Sequence, residues 1–99
     1  MSGSTYEREQ LRGRLTDISR EIVNMVVKKN EDYGDSNLVE DGLLGISIRM
    51  KDKCNRLKNL SMSDAEVDET VEDTLLDLAG YSINALRLLR EHRLPPKGL

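Results

Sequence analysis

Ninety-nine residues with 15 Lys and Arg against 18 Asp and Glu carry a formal net charge of −3. That length makes one small domain, whose core homo-oligomerisation would complete, and that balance argues against bulk nucleic-acid binding. A single cysteine, Cys54, excludes an intramolecular disulfide and fits a reducing cytoplasm.

Phe and Trp are absent, so the core must be aliphatic, and the prolines, Pro95 and Pro96, leave residues 1–94 free to form long helices. No apolar run reaches membrane-spanning length, and MSGSTYEREQ lacks a signal-peptide h-region. The expectation is a soluble cytoplasmic protein with no membrane partner.

Residues 1–5 read as a flexible leader, with Ser4 or Thr5 capping the first helix. From Tyr6 to Lys29, Leu11, Leu15, Ile18, Ile22, Met25 and Val26 recur at three- and four-residue spacing, which predicts an amphipathic helix. Lys28 and Lys29 suit its C-terminal dipole. Glu31 to Asp41, EDYGDSNLVED, is rich in turn formers. It reads as a helix–helix connection or, given its length, a binding loop with Tyr33 as an anchoring ring. An EF-hand is excluded, because the alternating ligands and final glutamate are missing.

Asp41 is placed to cap a second helix from Gly42 to Leu60, with Leu43, Ile46, Met50, Cys54 and Leu57 on its apolar face. Cys54 therefore reads as a core residue rather than a nucleophile. Asp52 and Arg56 stand at i,i+4, where a surface ion pair is the plain account. Ser63 and Glu66 match a capping box that opens a third helix reaching His92, with residues 94–99 as a tail.

The third helix is apolar around most of its circumference, so burial on several sides is expected. Its polar stripe is Glu69, Asp73, Asp77, Gly80 and Asn84. Asp77, between Leu76 and Leu78, needs a cationic partner if it is buried. Three carboxylates at i,i+4 spacing mark either a solvated face or a cation site, and oxygen ligands without His or Cys favour Mg²⁺ or Mn²⁺. Arg49, Lys53, Arg56 and Lys58 on the second helix stand ready for phosphates, while Asn84 reads as a contact to base or ribose, or as a bridge between helices.

KNEDYGDSN, GLLGISIRMKDKCNRLKNL and DETVEDTLLDLAGYSINAL resemble the phage and bacterial nucleotide-modification-associated domain, which is grouped with the MazG-like all-α NTP pyrophosphohydrolases. The resemblance implies a MazG-like helical bundle completed by oligomerisation, and hydrolysis of a nucleoside triphosphate to monophosphate and pyrophosphate, in the host cytoplasm if the chain is viral. Asp52, Glu69, Asp73 and Asp77 would hold Mg²⁺, with Asp52, Asp73 and Asp77 catalytic. Lys53, Arg56 and Lys58 would hold phosphates, and Lys29, Asn30 and Tyr33 would border the nucleotide. Where MazG-like enzymes carry E-E-x-x-E, this chain reads RMKDKCNRL, with one acid. Three functions are then in play: an Mg²⁺-dependent nucleotide pyrophosphohydrolase, a non-catalytic protein sequestering a nucleotide (including a cyclic signalling nucleotide of host defence), and an interaction bundle.

Overall fold

The computed structural model describes residues 4–62 and 68–94, and the side chains among them except those of residues 68–70. The chain is all-α: α1 spans Thr5–Tyr33, α2 Ser36–Ser61 and α3 Asp68–Arg90. The expected capping box at Ser63 and Glu66 lies outside the described residues. Ser4 caps α1 as expected, accepting a hydrogen bond from the Glu7 amide at 3.3 Å.

The connection expected over Glu31–Asp41 is mostly helix. α1 continues through Tyr33, and α2 starts at Ser36 rather than Gly42. Two glycines explain the difference. Gly34 (φ 67, ψ −170) and Gly42 (φ 72, ψ −171) adopt nearly the same backbone conformation, one open essentially to glycine alone. Gly34 ends α1 with its amide bonded to the Asn30 carbonyl at 2.7 Å, and Gly42 kinks α2. Asp35, not Asp41, stands at the N-cap of α2, whereas Asp41 pairs with Arg49 two turns on. Composition marks breakers, yet a single helical turn fits between two of them.

α3 lies centrally and packs against both α1 and α2, which scarcely touch each other. Ile46, Leu88 and Leu94 form the buried cluster, with Leu38, Val39, Leu43, Met50, Tyr81 and Ala85 packed around it. The seam on α2 passes through Ile46, Met50, Lys53 and Leu57, so Cys54 sits beside it and is exposed, contrary to the core position expected. α3 is covered on two sides, by α1 and α2, as the expected burial on several sides requires, but part of its apolar surface stays open. Leu75, Ile83 and Leu86 are 45–53% exposed, because two neighbours cannot surround a third helix.

Leu94, expected in the tail, is a core residue. α3 ends in a Schellman arrangement: the His92 amide bonds the Leu89 carbonyl at 3.1 Å and the Arg93 amide bonds the Leu88 carbonyl at 3.0 Å. His92 takes the left-handed position at φ 57. This reversal turns Leu94 back onto Leu88 and Ile46.

Candidate functional site

Where α1, α3 and the start of α2 converge, they enclose an open cavity of about 350 Å³. Its apolar wall includes Met25, Val26, Leu38 and Tyr81; its polar lining includes Lys29, Asn30, Asn37, Asp77 and Asn84. Tyr33, 73% exposed, and Gly34 lie at the rim, and Arg49 also reaches the lining. Gly80 forms part of the wall because α1 comes close there. A Cβ at Gly80 would stand 2.8 Å from Met25 Cε and 3.3 Å from Val26 Cγ2, so the small residue permits the α1–α3 crossing.

Asp77 has the cationic partners that its position demands. Lys29 Nζ donates to its Oδ1 at 3.0 Å and Lys53 Nζ lies 2.9 Å from its Oδ2. Burial alone would push the Asp77 carboxyl up; the hydrogen bonds from Lys53 and Lys29 outweigh it and hold the carboxyl below its usual range. The triad carries one net positive charge, and one carboxylate keeps two ammonium groups side by side.

The cavity rim is braced by a residue that sequence reading treated only as a turn former. Asp35 Oδ1 accepts from Arg87 Nη2 at 2.7 Å and Asn30 Nδ2 at 2.5 Å, and its Oδ2 accepts from Arg93 Nη1 at 2.9 Å. The hydrogen bond from Arg87 is the main cause of the lowered Asp35 pKa, and Asp35 in turn raises that of Arg87. Arg87 also donates to Asn84 Oδ1 from Nε at 2.9 Å and Nη2 at 2.7 Å. These bonds orient two amides in the cavity. Among the described residues, the Asn84 NH₂ donates to no partner and the Asn30 side-chain oxygen accepts from none. No local signal announces this brace, since Asp35 and Arg87 are 52 residues apart.

The structure gathers Lys29, Asn30, Tyr33, Arg49, Asp77 and Asn84 at one cavity, with Lys53 tied to it through Asp77. It does not bring the others there. Asp52 and Arg56 line a separate shallow depression on α2 with Lys53, Asn55, Asn59 and Leu60, and no ion pair joins them among the described residues. Lys58 is exposed near the end of α2, Asp73 is exposed on α3, and the Glu69 side chain lies outside the described set. Among the described residues, no three His, Cys, Asp or Glu side chains cluster as a metal site would require. Asn37 and Leu38, from the stretch expected as a binding loop, complete the lining together with Met25, Val26 and Tyr81, to which sequence reading gave no binding role.

The model of the family described as nucleotide modification associated domain 1 matches residues 29–89, from Lys29 through all of the cavity-lining part of α3. No curated protein and no solved structure matches the chain. With more than half of its length matched, the chain belongs to the nucleotide modification associated domain 1 family.

Proposed function

We propose that this chain binds a nucleotide in the cavity between α1, α2 and α3, without a requirement for turnover. The observation that carries this reading is a mostly apolar cavity of about 350 Å³ lined by Lys29 and Asp77, with the Lys53 ammonium, from the neighbouring depression on α2, held on the second oxygen of Asp77. Apolar walls with a few convergent polar groups are the usual make-up of a small-molecule site. Phosphate adds the negative charge that two lysines and one aspartate lack. Tyr33 and Tyr81 offer rings to a base, while the NH₂ of Asn84 and the side-chain oxygen of Asn30 suit the mixed donor and acceptor edge that every base presents. A cyclic signalling nucleotide remains one member of the ligand class.

Hydrolysis with Mg²⁺, in a phage or bacterial nucleotide pathway, is the second reading. One observation favours it: Asp52 and Asp73 are exposed and make no ion pair among the described residues, so both are open to a cation. The described carboxylates are nonetheless a poor fit for Mg²⁺ or Mn²⁺. Asp77 is engaged on both oxygens by lysine, and Asp52 faces a different depression.

The test is incubation of the chain with nucleoside triphosphates, deoxynucleotides and cyclic nucleotides, with and without Mg²⁺. Bound nucleotides are then released by heat and separated by chromatography. The expected result is one nucleotide class withdrawn from solution and recovered intact. Monophosphate and pyrophosphate formed only with Mg²⁺ would establish the hydrolase instead.

A further inference from the structure

The N-terminal half of α1 has an apolar stripe that none of the described residues covers. Every residue from 4 to 21 is exposed, and Leu11, Leu15 and Ile18 are 48–55% exposed. Spacings of four, three, four and three carry the stripe from Leu11 through Leu15 and Ile18 to Ile22 and Met25, which is the 3.5-residue repeat of a two-helix seam. Ile22 is already buried, so the exposed stretch continues an existing seam for about 25 Å. Residues 4–21 hold four basic and four acidic side chains, which gives no net attraction to an anionic lipid surface.

We propose that α1 pairs antiparallel with α1 of a second copy of this chain, centred on residues 11–22 of each, Leu15 of each meeting Ile18 of the other. The charges beside the seam select that register. Glu7, Arg14, Glu21 and Lys28 recur every seven residues on one flank with alternating sign. None of the four makes an ion pair among the described residues, whereas Arg12 on the other flank is 3.4 Å from Glu9 of its own helix. With Leu15 against Ile18, Arg14 faces Glu21 of the second copy and Glu7 faces its Lys28, so all four charges meet opposite charges. Sliding one heptad either way sets Arg14 against Arg14, or Glu21 against Glu21. A parallel pair sets Arg8 against Arg8 inside the seam. In the antiparallel register Leu11 of the second copy lands at the edge of Ile22, joining the new seam to the α1–α3 contact.

Sedimentation equilibrium of the full chain tests this, with far-UV circular dichroism as the folding control. The wild type is expected as a dimer or an assembly of dimers, and Leu15→Asp is expected to lower its mass at least twofold with helicity retained. Arg14→Glu and Glu21→Arg are each expected to raise the dimer Kd roughly tenfold, and the double variant to restore it. That rescue occurs only where residue 14 faces residue 21. A monomeric wild type, an assembly indifferent to Leu15→Asp, or a double variant no tighter than the singles would overturn the pairing. Binding of the monomer to phosphatidylglycerol vesicles would overturn it in favour of a lipid surface. If Leu15→Asp loses helicity, the charge-exchange series alone decides.

Discussion

Asp35 shows how much of this small molecule depends on single carboxylates. Its two oxygens tie the end of α1 through Asn30, the body of α3 through Arg87 and the reversed C-terminal turn through Arg93. Only 12% of its side chain is exposed, whereas its arginine partners are 37% and 43% exposed, so solvent weakens each pair. Asp35→Asn is expected to cost about 1–2 kcal/mol in urea unfolding. Asp35 and Asp77 both have folded-state pKa values below the ordinary 3.8. As pH falls, the unfolded chain protonates these groups before the folded chain does. Their stabilisation is therefore complete above about pH 4 and is lost as pH drops through the depressed values. Thermal midpoints measured below pH 4 should fall, and Asp35→Asn should fall less steeply over that range. Beside the cavity, Lys53→Ala removes one of the two ammonium groups held on Asp77. Calorimetric titration should show nucleotide binding weakened about tenfold, with the helical spectrum unchanged.

At the scale of elements, the glycines and the C-terminal reversal matter most. Gly34 and Gly42 hold a conformation costly for any side chain. Gly42→Ala is expected to destabilise the chain by about 1–3 kcal/mol, measured as a lowered urea midpoint. Leu94 is 1% exposed and, among the described residues, shares the fully buried core with Ile46 and Leu88. Leu94→Ala should cost about 2–4 kcal/mol, a large fraction of the stability of a small domain. A disposable tail would leave the midpoint unchanged. Helix periodicity was legible along α1 and α3 because Leu, Ile and Val recur with the helical repeat. The stretch around Tyr33 was not, because turn-forming composition does not distinguish a loop from two sharp glycine breaks with a helical turn between them. Cys54 was misplaced for a related reason: the apolar face of α2 is wider than the strip that α3 covers.

For the whole molecule, the arrangement is a central α3 with two neighbours on it, leaving apolar surface on α1 and on the outer side of α3. No described helix is long and apolar enough to cross a membrane. A ligand held between α1, α2 and α3 joins all three helices, so a saturating nucleotide should raise the unfolding temperature by mass action. The order of residues is enough to make the chain helical, to place its three helices roughly, and to require a cation for a buried Asp77. Those properties come from local periodicity and from the cost of burying an unpaired charge. Packing in three dimensions chose which cations answer Asp77, made Asp35 the brace of the cavity rim, and put Asp52 and Arg56 elsewhere. The ion pairs among them span 24 to 58 residues of chain. They depend on how α1 and α2 cross α3, and a crossing angle leaves no mark in the spacing of residues along any one helix.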